Sequence, residues 1–314
     1  MLSPKLAPEI RTLLEGMAAQ NLPPLESLPV PIARQAAHGL DGLTGEPDPV
    51  ARVENRKIPG RRGEIPVRIY SPEKDGPFPG VIYLHGGGWV VCDLDTHDNI
   101  CRAISKRAGA VVVAVDYRLA PEHKFPAAVE DSLDATRWVA SNAAALGIDP
   151  RRLVIAGDSA GANMATVIAR KSRDEKGPAI ALQVLVYPVT NLSAADTLSH
   201  QEFGADHFLT TSVMKWFAEQ LFTPDADRTN PDASPKFVKD LRGLPPALVI
   251  TAECDPLRDE GEEYAQRMQS AGVPVTLERY NGMIHPLFNF LGATPSAQRA
   301  VDQIAAAVRA VKPV

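Results

Sequence analysis

RLVIAGDSAGANMATVIARKSRDE, residues 152–175, decides how the rest of the chain is read. An apolar run of strand length, RLVIAG (152–157), passes into a helical pattern, ANMATVIARKSRDE (162–175), through Gly157-Asp158-Ser159-Ala160-Gly161. A G-x-S-x-G pattern alone says little, because this composition supplies roughly 0.1 matches per chain by chance. Its place between a strand and a helix is what gives it weight. A sharp strand-to-helix turn needs small residues on either side so that the serine Oγ stands clear of the backbone. The N–H of Ala160 then heads a helix, where it can bind a developing anion. Asp158 adjoins the serine but points from a different place in the turn, and is read as structural.

Working outward, short apolar runs alternate with helical patterns. The strand-like runs are ARVENRKI (51–58), PVRIYS (66–71), GVIYLH (80–85), AVVVAVDY (110–117), ALQVLVYP (181–188), PALVITAE (246–253) and PVTLERY (274–280). The middle ones are continuous Val, Ile, Leu and Ala, as in strands covered on both faces of a parallel sheet. Helical patterns lie at 98–109, ending in Gly109 as a stop, at 126–146, opened by Pro126 as an N1 proline, and at 259–272 and 296–311. This alternation predicts an α/β fold with a mostly parallel sheet flanked by helices. The first two strands lack a helix-length connection and are expected to pair antiparallel. Two stretches stand outside the rhythm. Residues 1–50 are proline-rich with helical patterns near 4–20 and 30–40, and residues 191–243 contain the amphipathic FLTTSVMKWFAEQLF (208–222). A long insertion in such a scaffold is often a lid over a site.

His85-Gly86-Gly87-Gly88-Trp89 follows directly on GVIYLH. Three consecutive glycines reach backbone conformations closed to other residues and let N–H groups turn inward. HGGG arises by chance in on the order of a few in a thousand chains. Acyl transfer needs both an alkoxide and donors waiting where the carbonyl oxygen becomes negative. A serine hydroxyl also needs a base, and histidine suits that work. Of the seven histidines (His38, His85, His97, His123, His200, His207, His285), only His285 lies just past the last strand, in YNGMIHPLF (280–288). Ligands of open α/β sheets bind at that edge. His85 belongs to the glycine loop and shapes it. PALVITAE runs into Cys254-Asp255-Pro256-Leu257-Arg258-Asp259-Glu260. Asp255 is the first carboxylate past the strand end, in a turn that Pro256 stiffens. Glu253 stays on the strand, and Asp259 and Glu260 fall in the first helical turn, where acids suit the dipole. Asp255 is therefore the orienting acid, with Asp259 in reserve. The order Ser159, Asp255, His285 is that of an α/β-hydrolase triad.

HGGGW, GDSAG, DPLRDEG and GMIHPL together resemble the hormone-sensitive-lipase-like branch of microbial carboxylesterases, within the α/β-hydrolases. DYRLAPE (116–122) matches a further signature of that branch, and the likeness covers most of residues 51–311. The resemblance implies Ser159 as nucleophile, His285 as base, Asp255 as orienting acid, and oxyanion donors from Gly87, Gly88 and Ala160. It also implies a catalytic domain of residues 51–190 and 244–314 under a helical cap built from 1–50 and 191–243. One departure is visible: many members continue GDSAGG, whereas Ala162 follows Gly161 here, a residue that suits a helix interior. Within the expected cap, Phe203, Phe208, Leu209, Met214, Trp216, Phe217 and Phe222 are candidates to line an acyl pocket, although an amphipathic helix also packs such residues against its scaffold. With aromatic residues at only 6% and no long apolar lid sequence, short- to medium-chain acyl esters are favoured over long triglycerides.

Composition fits this reading. The 314 residues carry 38 acidic and 33 basic side chains, net −5, with a pI near 5.8. That balance excludes a general electrostatic grip on nucleic acid or an anionic membrane. A chain this long buries about three quarters of its extended-state surface and needs no staples. Three cysteines (Cys92, Cys101, Cys254) make no disulfide framework or zinc spacing and point to a reducing, cytoplasmic setting. No run approaches the ~18 apolar residues of a membrane span, and no signal peptide is read at the start. Neither G-x-G-x-x-G nor a P-loop occurs, and serine acyl transfer needs no cofactor. The expected partner is a small-molecule ester. The strand near 274–280 offers a sheet edge for pairing with a second copy. Two rivals share these parts: a hydrolase of amides, lactones or formamides, and a small-molecule receptor that has lost catalysis. The complete set of serine, histidine and acid argues against the second.

Overall fold

Every residue of Val111–Val115 is buried, as a strand covered on both faces requires. In the computed structural model, which describes residues 2–73 and 76–314, this run is the fourth of eight strands in one sheet. They are β1 (Arg52–Gly60), β2 (Gly63–Ser71), β3 (Phe78–Leu84), β4 (Val111–Val115), β5 (Ile148–Asp158), β6 (Leu182–Val186), β7 (Ala247–Cys254) and β8 (Val275–Ile284). The order is β1-β2-β4-β3-β5-β6-β7-β8. As expected, β1 and β2 form an antiparallel pair; β2 also runs antiparallel to β4, and the remaining neighbours are parallel.

Helices α3 (Asp98–Ala108), α4 (Ala127–Ser141), α5 (Ala160–Asp174), α8 (Arg258–Ser270) and α9 (Pro295–Arg309) accompany the sheet. The two-residue period of a strand divides the core between its faces. Ile82, Leu84, Val113 and Val115 pack with α4, α5 and α8, whereas Val81, Tyr83, Val112 and Ala114 pack with α3 and α9. Among the described residues, no helix is long and apolar enough to cross a membrane.

Some boundaries differ from the sequence expectation, each for a local reason. Gly109 ends α3 in the left-handed conformation, φ 60°, as expected of a glycine stop. Pro126 sits at the N-cap of α4 rather than inside it. The helix predicted to reach residue 146 stops at Ser141, because the Asn142 side chain donates to the Trp138 carbonyl at 2.9 Å and draws the chain into a separate turn. Strand β8 outruns its predicted end at residue 280 through a shift in its pairing with β7, after which Cys254 faces Ile284. Gly282, at φ 74°, makes that irregularity possible. Its N–H donates to the Glu253 carboxylate at 2.8 Å and its carbonyl accepts the Ala7 N–H at 3.0 Å.

The segments outside the rhythm are helical too: α1 (Pro8–Ala19) and α2 (Val30–Ala37) in one, α6 (Leu198–Phe203) and α7 (Thr211–Leu221) in the other. Met1 of the first segment lies outside the described residues. The pattern read over 208–222 becomes helical only from Thr211, because the Thr210 hydroxyl caps the helix by accepting the Val213 N–H. The two segments touch: the Ser3 N–H donates to His207 Nε2 at 3.0 Å, and Lys5 pairs with Glu202 at 2.6 Å.

Sheet register brings the chemistry-bearing loops together. Leu84 pairs with Gly157, so the glycine loop leaving β3 lies beside the serine turn leaving β5. Cys254 pairs with Ile284, so Asp255 and His285 emerge side by side from β7 and β8.

Candidate active site

Between the last residue of β5 and the first of α5 sits Ser159, at φ 54° and ψ −118°. Backbone of this kind is costly for a residue with a side chain and persists only when its surroundings enforce it. The enforcement is visible. The Ser159 N–H donates to the Val186 carbonyl at 2.8 Å, and its carbonyl accepts the Asn163 N–H at 3.0 Å. Helix α5 approaches β3 so closely that a Cβ on Gly161 would lie 1.9 Å from the Leu84 carbonyl oxygen. No other residue fits there without moving the backbone, which explains the second glycine of the motif.

The Ser159 hydroxyl lies 3.0 Å from His285 Nε2, and His285 Nδ1 lies 2.9 Å from Asp255 Oδ2. The other Asp255 oxygen accepts the Leu257 N–H at 2.9 Å. An ionised carboxylate only accepts, so the imidazole proton belongs on Nδ1 and the Nε2 lone pair faces the hydroxyl. Asp255 has no exposed surface, and the Tyr187 ring backs the imidazole at 4.4 Å between centroids. Asp259, the reserve acid, is engaged elsewhere: it accepts the Ser199 N–H at 2.8 Å and pairs with Arg258.

The glycine loop is pinned at its carbonyls. His85 Nδ1 donates to the Gly86 carbonyl at 2.7 Å, and the Gly87 carbonyl accepts the N–H groups of Val90 and Val91 at 3.1 and 3.0 Å. A peptide is planar, so holding the carbonyl of one residue fixes the direction of the next residue's N–H. The N–H groups of Gly87 and Gly88 are thereby set before any ligand arrives. Gly87 has φ 104°, and a Cβ there would fall 2.1 Å from the Val91 carbonyl oxygen. Farther along, Arg34 of α2 donates to the carbonyls of Val90 (2.9 Å) and Ala120 (3.0 Å), fastening the loop from behind. His85 stacks on Tyr117 at 4.3 Å. Burial first, then the neighbouring His97, pushes the His85 imidazole down to about 4, which keeps it neutral for this holding role.

Other groups were not legible as site elements. Glu260 is buried in the first turn of α8, and its Oε1 accepts the backbone N–H groups of Thr190 and Asn191. Its Oε2 lies 3.7 Å from His200 Nε2 on α6. Burial pushes this carboxyl up to about 8, against the pull of those N–H donors. The unfolded chain loses the proton near the ordinary glutamate value, about 4.3, so stability falls as pH rises between about 4.5 and 8. Urea midpoints at pH 5 and pH 8 are expected to show that Glu260→Gln lacks this loss, so that the variant gains on the wild type at pH 8. Parallel slopes in the two proteins would contradict the assignment.

A narrow apolar cavity of about 230 Å³, including its mouth, is lined by Trp89, Phe125, Val129, Asn163, Leu192 and Leu221 among others. None of the expected pocket residues lines it. Phe203 is fully buried, with Lys5 and Arg258 over its ring at 5.5 and 5.3 Å. Phe208 packs in that same part of the core. Leu209, Met214, Trp216 and Phe217 instead pack on the side of the core that holds Trp89. Phe222 meets Phe125 at 5.5 Å. Phe217 comes nearest the loop, its ring filling the space above Gly88, where a Cβ would lie 2.3 Å from it. The cavity draws on six separate stretches, which no local pattern links; only Trp89, next to the glycines, and Asn163, one helical turn past Ser159, carried a positional hint. Among the described residues, no group of three or more His, Cys, Asp or Glu side chains is arranged to hold a metal ion.

A family model described as the α/β-hydrolase fold matches residues 81–289, which holds the glycine loop, the serine turn, the acid and the histidine. The chain belongs to the α/β-hydrolase family. Ethyl acetate hydrolase of Pseudomonas putida is 39% identical over 290 residues, covering 90% of this chain and 91% of that protein. Carboxylesterase NlhH of Mycobacterium tuberculosis is 42% identical, covering 83% of each chain. The crystallised hyperthermophilic esterase from Pyrobaculum calidifontis superposes with a TM-score of 0.92 at 45% identity, covering 97% of this chain and 98% of that one. The resemblance to hormone-sensitive-lipase-like carboxylesterases therefore holds, and this α/β-hydrolase is an enzyme of the carboxylic ester hydrolase type.

Proposed function

We propose that this α/β-hydrolase cleaves small-molecule carboxylic esters of short to medium acyl length through a covalent acyl-enzyme. The observation that carries this reading is the unbroken hydrogen-bonded chain from Asp255 through His285 to the Ser159 hydroxyl. His285 Nε2 takes the serine proton as Oγ attacks the ester carbonyl, and Asp255 stabilises the imidazolium through Nδ1. The tetrahedral oxyanion is received by the N–H groups of Gly87, Gly88 and Ala160. Collapse breaks the bond to the alkoxy group, which leaves as the alcohol with the proton from Nε2. Water, deprotonated by the same nitrogen, then attacks the acyl-serine; the acid departs and Oγ regains its proton. The contacts between residues 2–50 and 191–243 support their reading as one cap over this site.

The narrowness of the cavity that Trp89 of the glycine loop and Asn163 of α5 help to line supports a small acyl group, as does the substrate in the name of the Pseudomonas relative. An acyl-length series of chromogenic esters tests this. The wild type is expected to turn over acetyl to hexanoyl esters fastest, and Leu221→Ala to shift the optimum toward longer chains by opening one wall. A wild-type optimum at long acyl chains would overturn the size reading. An unchanged profile in the variant would remove this cavity from acyl recognition.

A further inference from the structure

We propose that Asp158 is a positioning residue of this reaction: its buried carboxylate, paired with His97, anchors Gly86 and thereby the following N–H, that of Gly87, which receives the oxyanion. The inference rests on the reading of Gly87 and Gly88 as oxyanion donors.

Asp158 is next to the nucleophile in sequence, yet its side chain turns away, toward the exit of β3. There its Oδ1 accepts the Gly86 N–H at 3.1 Å and the Tyr83 hydroxyl at 2.8 Å. His97 Nε2 lies 3.2 Å from Oδ1 and 3.4 Å from Oδ2. Asp158 and His97 are each only 2% exposed, and Tyr83 1%. The fit is close enough that a Cβ on Gly86 would lie 2.3 Å from Oδ2. Burial alone would push this carboxyl up, but the charge and hydrogen bond of His97 and the Tyr83 hydroxyl outweigh it and hold it below the usual range.

The protons can be followed. The Thr96 hydroxyl donates its one proton to the Asp93 carbonyl at 2.9 Å, so toward His97 Nδ1, 3.0 Å away, it accepts. Nδ1 therefore carries hydrogen, and the contact between Nε2 and the carboxylate holds one further proton. That pairing has a catalytic consequence. An unpaired carboxylate so near the serine would oppose the negative charge that forms in the tetrahedral intermediate, and the low local dielectric would magnify the repulsion. With His97 the pair is neutral overall, so Asp158 can hold Gly86 without that penalty.

Gly86 is thus gripped at both ends, its N–H by Asp158 and its carbonyl by His85. Neither flanking peptide can rotate alone, and the Gly87 N–H belongs to the second of them. An asparagine at 158 has nearly the same shape but presents an NH2 group where the carboxylate only accepts. With its oxygen toward Tyr83 and Gly86, the amide turns its NH2 group to His97 Nε2, which can then only accept, so the charge pair is lost; turned the other way, a donor meets the donors of Tyr83 and Gly86.

The test measures how tightly the site holds an oxyanion. Asp158→Asn is expected to lower kcat by about 10- to 100-fold with KM little changed, a fraction of the 10²- to 10³-fold that follows loss of a whole donor. Affinity for a trifluoromethyl ketone, which adds to the serine and leaves an oxyanion, should fall by the same factor. Affinity for a non-reacting amide analogue of the ester should not. His97→Gln, which leaves Asp158 unneutralised, is expected to give the same pattern and serves if Asp158→Asn does not fold. Wild-type kcat in a folded variant, or equal losses of affinity for both inhibitors, would overturn the proposal. A failure here beside an inactive Ser159→Ala enzyme would sink only the role of Asp158, whereas an active Ser159→Ala enzyme would sink the serine mechanism itself.

Discussion

Ester turnover by Ser159→Ala protein is expected to fall about 10⁶-fold, the loss seen when the nucleophile of a triad acting as one unit is removed. Among the described residues the hydroxyl has one hydrogen-bond partner, His285 Nε2 at 3.0 Å, so alanine removes the attacking atom while leaving the backbone bonds of the turn in place. Those bonds, not the side chain, enforce the φ of 54°. Thermal stability should therefore change little, and the loss of rate is read as chemistry rather than unfolding. Two measurements check it: initial rates on a chromogenic acetate ester, and the intact mass after exposure to an organophosphate. The wild type should gain one adduct and the variant none. Near-normal turnover or an adduct on the variant would show that another residue attacks.

For Asp255→Asn the expected loss in kcat is about 10⁴-fold. The carboxylate has two fixed obligations, His285 Nδ1 at 2.9 Å through one oxygen and the Leu257 N–H at 2.9 Å through the other, and no exposed surface through which to relax. An amide cannot meet both. With its oxygen toward Leu257, its NH2 group faces Nδ1 and drives the imidazole proton onto Nε2, where it blocks proton acceptance from serine. Turned the other way, it sets a donor against the Leu257 N–H. The variant should remain folded and bind a non-reacting ester analogue normally, with the defect confined to kcat. A loss smaller than tenfold would exclude Asp255 as the orienting acid. Asp259, held by Ser199 and Arg258, could take its place only by breaking those contacts.

The parts of this site that a sequence displays are those whose chemistry is local. Gly157, Ser159 and Gly161 announce a strand-to-helix turn because its sterics involve only adjacent residues. Asp255 and His285 could be chosen because each is the first residue of its type past a strand end, and the parallel register of β7 and β8 then brings them together. The middle apolar runs likewise marked their strands, since burial on both faces leaves few polar positions. What stayed hidden depends on contacts between segments far apart in the chain. Helix α4 ends early because of one asparagine side chain, and β8 lengthens because Glu253 and Ala7 bond a glycine between them. The cavity wall is assembled from six separate stretches, so no local pattern, the apolar stripe of 208–222 included, could delimit it. Asp158 was legible as structural from its neighbour, but its target, Gly86, is 72 residues away.

The Phe217 ring resting over Gly88 matters for anyone who would exchange parts between relatives. Residues 191–243 look like an interchangeable module, suited to grafting when a different substrate range is wanted. Yet this one ring ties the module to the backbone proposed to receive the oxyanion, so a graft that changes position 217 is expected to change the rate as well. Chimeras that retain phenylalanine there should separate selectivity from speed more cleanly than those cut at the module's borders alone.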